Sequence, residues 1–197
     1  MHGLAKLLFR LKGWKTEGAV HQPQRFVIIA APHTSNWDAV NMVIAAYIFK
    51  IRISWFIKSE AFFFPLGTLI RAVGGIPIDR SASRNVVAQA VEQFNQSERL
   101  VLAVPPEGTR GKSDGWKTGF YHIACGAGVP IVLGYLDYQR KVAGLGPAFV
   151  PTGDIEADFH VFDEFYAGVI PKFPEHRGVV VPSRVVPKPQ RQSSGRR

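Results

Sequence analysis

The chain has 197 residues, 46% of them hydrophobic and 20% charged, which gives a globular domain with a core and excludes a disordered chain. A single cysteine excludes an internal disulfide and a thiolate metal cluster, and the six histidines fall in no HExxH spacing, so no metal site is expected. A formal charge of +9, from 24 Lys and Arg against 15 Asp and Glu, favours an anionic partner.

Residues 1–15 alternate basic and apolar. Leu4, Leu7, Leu8 and Leu11 share one helical face, with Lys6, Arg10 and Lys12 mostly off it. The segment lacks a signal-peptide pattern and is shorter than the roughly 20 apolar residues a bilayer span needs. It reads either as an amphipathic helix on a membrane surface or as a helix packed on its own domain. Gly13 to Arg25 reads as a loop, and Phe26 to Ala31 as a short buried strand. After Pro32 and His33, Ser35 reads as a helix N-cap with Asp38 three residues on, close to a capping box, and the helix runs to about Phe49.

Ile51 to Ile57 reads as the next strand, with Lys58 at its end. Ala61 to Val73 is either a core helix interrupted by Pro65 or a surface dipping into lipid. Ile76-Pro77-Ile78 forms a short strand ending at Asp79-Arg80, and Ser81 to Ser97 an amphipathic helix with Val87, Ala90, Val91 and Phe94 inward. Leu100 to Val104 reads as a buried strand running into the turn Pro105 to Arg110. Thr118 to Gly126 reads as a helix, Val129 to Leu136 as a strand, Gly144 to Pro151 as a loop or short strand, and Ile155 to Gly168 as a last helix. Residues 182–197 are basic and free of acids, and read as a disordered tail.

Strands alternating with helices over residues 16–181 predict a single α/β domain, with a largely parallel or mixed central sheet flanked by helices. In such sheets functional side chains gather on loops after strand C-termini. Four polar clusters fall there: His33 with Asp38, Lys58, Arg80, and Glu107-Gly108-Thr109-Arg110. His33 and Asp38 read equally as a base with its orienting carboxylate or as a loop histidine beside a helix-capping carboxylate. In the Glu107 turn, glycine permits close backbone approach and arginine offers a fork for phosphate; the bland reading is a solvated turn with an internal ion pair. Together the clusters suit acyl transfer from a thioester to a hydroxyl on a phosphate-bearing acceptor, with backbone N–H groups of the His33 turn as candidate oxyanion donors.

Four motifs occur in order: His33 with Asp38, Gly75-Ile76-Pro77-Ile78-Asp79-Arg80, Pro106-Glu107-Gly108-Thr109-Arg110, and Val129-Pro130-Ile131-Val132. From about Val27 to Leu136 the chain thereby resembles the glycerolipid acyltransferase family, of the 1-acylglycerol-3-phosphate acyltransferase type. The resemblance implies a glycerol-3-phosphate acyltransferase-like fold, His33 as general base and Asp38 as its partner. It implies that Arg80, Glu107, Gly108, Thr109 and Arg110 bind the acceptor phosphate and shape its pocket, that Lys58 adds positive charge, and that Pro130 and its neighbours help form the acyl-donor side. It further implies acyl-CoA or acyl carrier protein as donor, a lysophosphatidate-like or other lyso-lipid acceptor, no metal or other cofactor, and peripheral attachment to an anionic membrane surface on the cytoplasmic face. The alternative is a non-catalytic lipid- or membrane-surface binding protein on the same fold. Nucleic acid is not expected, because no basic-aromatic motif is present.

Overall fold

The strands form where short apolar runs lie between turns, and the most buried runs take the middle of the sheet. In a computed structural model that describes residues 2–79 and 83–183, seven strands form one sheet: β1 (Lys15–Glu17), β2 (Arg25–Ala30), β3 (Ile53–Lys58), β4 (Gly75–Ile78), β5 (Leu100–Val104), β6 (Ile131–Asp137) and β7 (Val142–Phe149). Their order is β1-β7-β6-β2-β5-β3-β4. Strands β2 to β6 run parallel; β7 is antiparallel to β6, and β1 pairs parallel with β7. The sheet is therefore mixed, with the reversed pair at one edge.

Central β2 buries both parities of its side chains, as expected of a parallel strand covered on both faces. Val27 and Ile29, with Leu102, Ile131 and Leu133, face the larger core built with α4 (Ser83–Asn95), α5 (Gly119–Ala127) and α6 (Ile155–Ala167), where Phe94, Phe120, Phe162, Tyr166 and Trp116 are buried. Phe26 and Ile28, with Val101, Ala103 and Val132, face Ala46 and Met42 of α2 (Asn36–Phe49). Helix α1 (His2–Leu11) packs on α2, and Phe9, Trp14, Ala45, Leu136 and Ala143 form a third cluster. Covered by the sheet on one side and by α1 on another, α2 is apolar around most of its circumference.

Three parts of the chain differ from the sequence expectations. The stretch expected as a loop or short strand near Gly144 belongs to an eight-residue strand, β7. Its glycines hide the strand signal but are needed sterically: a Cβ on Gly144 would come within 2.0 Å of the Tyr135 ring, and one on Gly146 within 2.4 Å of Phe165. The expected Gly13–Arg25 loop contains β1, whose polar residues form a strand only because β7 offers an edge. Pro65 does not interrupt a core helix; it precedes the short α3 (Leu66–Ala72), and Phe64 and Leu69 lie exposed.

Helix α1 buries Ala5 and Phe9, while Leu4, Leu7, Leu8 and Leu11 remain exposed, Leu11 by 75%. Among the described residues no helix is long and apolar enough to cross a membrane. Trp116 exchanges backbone hydrogen bonds with Val181 and Ser183 (2.8 Å each), which carries the packed chain to Ser183. Most of the segment read as a tail, from residue 184 on, lies outside the described residues, as does Arg80.

Candidate active site

Strand β2 ends at Ala30, and the turn from Ala31 to Ser35 enters α2. Ser35 is the N-cap, its Oγ accepting the Trp37 N–H at 3.2 Å, an interaction worth about 1 kcal/mol. Asp38 completes the capping box: its Oδ2 accepts the N–H groups of Ser35 (2.8 Å) and Thr34 (2.9 Å). The same oxygen lies 3.2 Å from His33 Nδ1. The cap and the His–Asp pair are thus one structure. Ordering the turn also sets the carboxylate that fixes the imidazole, and Nε2 on the far side of the ring has no hydrogen-bond partner among the described residues.

Asp38 is only 4% exposed. Burial pushes its carboxyl upward, but the hydrogen bonds from His33, Tyr138, Ser35 and Thr34 outweigh burial and hold it below the ordinary aspartate value. It is therefore the anion at neutral pH. Its Oδ1 accepts the Tyr138 hydroxyl at 2.6 Å.

Strand β5 is the immediate neighbour of β2, so the Glu107 turn emerges beside the His33 turn. Glu107 is 5% exposed, and its Oε2 accepts the His33 N–H at 2.7 Å. The carboxylate points inward and clasps the backbone of the histidine turn. Burial raises the Glu107 pKa, only partly offset by the His33 and Gly178 amides. A raised carboxyl contributes stability that is full below its ordinary value of 4.5 and is lost as pH rises through its folded value. In Glu107→Gln this dependence is expected to vanish: melting temperature of the variant minus wild type, followed by calorimetry, should rise above about pH 4.5 and level off once pH has passed the folded value. The amide NH2 facing the Gly178 N–H would add an offset, so the slope is diagnostic; a difference flat in pH would refute the assignment.

Gly108 has φ +65°, and a Cβ there would meet the Lys117 side chain at 2.5 Å. Glycine thus admits Lys117 against the turn, a cation the sequence motifs do not mark. Thr109 Oγ1 accepts the Gly111 N–H at 3.2 Å. Arg110 reaches across to α2, donating from Nη1 to Asn36 Oδ1 at 2.6 Å. Lys172 stands 5.5 Å from the Trp37 ring centre, bringing a further cation to the start of α2.

His33, Asp38, Glu107, Gly108, Thr109 and Arg110 are therefore brought together at one end of the sheet. Lys58 lies exposed at the same end on β3, two strands from β2 and so about 10 Å to the side. It is in register with Ile78 at the end of β4; Arg80, two residues beyond Ile78, falls outside the described residues. Pro130 is not near this site. Its carbonyl accepts the Val27 N–H at 3.0 Å, at the opposite end of β2, and the strand from Val27 to Ala30 alone spans about 10 Å. The part of β6 that reaches the site is its other end, Gly134 to Leu136. The expected oxyanion donors are also taken: the N–H groups of His33, Thr34, Ser35 and Trp37 all serve side-chain acceptors.

His33 and Asp38 border a cavity of about 620 Å³ between α2 and the sheet. Its walls include Ile28, Val43, Met42, Trp55, Ala103 and Tyr135. Such a volume and lining fit an apolar ligand with its polar end at the histidine. Tyr138 follows the C-terminal end of β6, the kind of position from which the other clusters were read, so extending that rule to β6 would have found it.

A family model described as Acyltransferase matches residues 15–133. A curated 1-acyl-sn-glycerol-3-phosphate acyltransferase from Haemophilus influenzae is 32% identical over 135 residues, covering 64% of this chain and 55% of the relative. The protein of the same name from Escherichia coli is 33% identical over 112 residues, covering 53% of this chain and 44% of the relative. The chain spans about half the length of these curated relatives. Among solved structures, the 1-acyl-sn-glycerophosphate acyltransferase PlsC from Thermotoga maritima matches with a TM-score of 0.58 at 18% identity, covering 83% of this chain and 73% of that one, a likeness of fold.

Proposed function

Because this chain belongs to the acyltransferase family, we propose that it moves a fatty acyl group from acyl-CoA or acyl carrier protein to the hydroxyl of a lysophosphatidate-like acceptor. The observation that carries this reading is the His33–Asp38 pair, held by the helix cap, with Nε2 unpartnered at the rim of an apolar cavity. A neutral imidazole oriented through Nδ1 takes a proton at Nε2. The acceptor hydroxyl gives up that proton as its oxygen attacks the thioester carbonyl. The tetrahedral intermediate then collapses, the C–S bond breaks, and the imidazolium protonates the departing thiolate. Asp38 stabilises the imidazolium while it exists. The names of the curated relatives support the acceptor class.

In this reading the acyl chain lies in the 620 Å³ cavity, and the acceptor phosphate meets Arg110, with Lys58, Arg80 and Lys117 contributing charge. Glu107 shapes the pocket by holding the His33 backbone. The exposed leucines of α1, with Lys6 and Arg10 beside them, attach the protein peripherally to an anionic membrane surface on its cytoplasmic face.

The test is thiol release from acyl-CoA and from acyl carrier protein across a panel of acceptors: glycerol 3-phosphate, lysophosphatidate and other lyso-lipids. Acceptor-dependent release is expected with lysophosphatidate. Its absence with every pair would leave the non-catalytic lipid-binding alternative. With acceptor embedded in anionic vesicles, a variant carrying serine at Leu4, Leu7, Leu8 and Leu11 should lose on the order of 10-fold in rate while keeping its rate on detergent-dispersed acceptor. Equal rates on vesicles would remove α1 from membrane attachment.

A further inference from the structure

We propose that Tyr138 is a positioning residue for the His33–Asp38 pair, and that Asn41 and Lys12 hold its hydroxyl in the donating orientation; this rests on the acyl-transfer reading above. The four groups form a chain of hydrogen bonds. Lys12 Nζ donates to Asn41 Oδ1 at 2.7 Å. Asn41 Nδ2 donates to the Tyr138 hydroxyl oxygen at 3.2 Å, and that hydroxyl donates to Asp38 Oδ1 at 2.6 Å.

The direction of the chain follows from its first member. An ammonium has donors only, so it holds the Asn41 amide with oxygen toward Lys12 and NH2 toward Tyr138. With the amide donating to its oxygen, the tyrosine turns its single O–H to Asp38. Asn41 is buried to 2% exposure, so its amide has no solvent alternative. Burial and then Asp38 push the Tyr138 phenol up, so it remains a donor throughout the range in which enzymes are assayed.

Packing fixes the ring as well as the hydroxyl. Trp14 meets Tyr138 edge-on, with centroids 5.0 Å apart, and Phe9 of α1 lies 5.7 Å from Trp14. The amino-terminal segment therefore reaches the catalytic carboxylate twice, through aromatic contact and through Lys12. Both Lys12 and Tyr138 lie outside residues 15–133, so the motifs that define the family do not include this support.

The chemistry predicts a specific effect. Asp38 Oδ2 is occupied by two backbone amides and by His33, and among the described residues Tyr138 is the donor on Oδ1. Without it the carboxylate is less satisfied, attracts the imidazolium more strongly, and is freer to rotate out of line. Among the described residues, the other charged groups placed near the pair are Glu107 and Arg110 from the β5 turn, Lys172 over Trp37 and, through Asn41, Lys12; Tyr138→Phe leaves all of them.

The experiment compares wild type with Tyr138→Phe, which keeps the ring that Trp14 packs against. The His33 imidazole titration, followed by NMR, is expected to move to higher pH, and the acid limb of kcat/KM with it. kcat should fall on the order of 10-fold with the acceptor KM unchanged, less than the 10² that a misplacement of about 1 Å costs. Lys12→Met should shift the titration in the same direction by less, and it decides the matter if Tyr138→Phe does not fold. A His33 titration that superposes on wild type in the folded variants would overturn the proposal. Because that titration needs no substrate, it gives an answer even if the acyl-transfer reading fails.

Discussion

Replacing His33 with alanine is expected to lower kcat for acyl transfer by about 10³-fold, within the 10²–10⁴ attributed to a positioned general base, and to leave the fold intact. At 1.36 kcal/mol per tenfold, this is about 4 kcal/mol of transition-state stabilisation. The fold should survive because the His33 contact that orders the Glu107 turn is made by its backbone N–H, which alanine keeps. The cap is equally independent of the imidazole, since Asp38 still accepts the Thr34 and Ser35 amides. The circular dichroism spectrum should therefore match wild type, with a cooperative melt only modestly lowered by loss of the His33–Asp38 contact, while thiol release collapses. Unchanged acyl transfer in a folded His33→Ala protein would sink the assignment of His33 as general base.

Asp38→Asn tests the charge apart from the geometry. Two backbone N–H groups converge on Oδ2, so an asparagine must place its oxygen there and its NH2 toward Tyr138. His33 Nδ1–H then still meets an oxygen, and the catalytic tautomer is retained. What is lost is the negative charge opposite the imidazolium. The expected fall in kcat is about 10²-fold, less than where the amide also forces the wrong tautomer. Acceptor KM should hold, because the cations assigned to the phosphate are untouched. Stability supplies a second readout. The lowered carboxyl of Asp38 stabilises the fold above the ordinary aspartate value of 3.8, and this is lost as pH falls through its folded value. Asparagine should remove that part of the acid sensitivity. Activity within threefold of wild type would reduce Asp38 to a helix cap.

The capping box at Ser35 and Asp38 was legible as a local pattern because its partners are three residues apart and meet within one helical turn. The placing of His33, Glu107 and Lys58 after strand ends was legible too, because short apolar runs mark strands and the following polar residues mark their C-terminal loops. Strand β7 was not, since its glycines answer to the rings of Tyr135 and Phe165, which belong to other elements. Nor was Pro130's distance from the site, which follows from the register of β6 on β2 and is invisible until the two strands are paired.

From the sequence alone came the α/β class, the order of the motifs and the two readings of the His33 turn, cap or catalytic pair, because these rest on periodicity and spacing along the chain. Tertiary structure decided that the helix cap and the His33–Asp38 contact are one arrangement, with a single Asp38 oxygen serving both. It also turned Glu107 inward as a clasp, opened the apolar cavity beside His33, and brought Tyr138 from a hundred residues away onto Asp38. These depend on which strands lie side by side and on which side chains burial forces together, and non-local packing settles both.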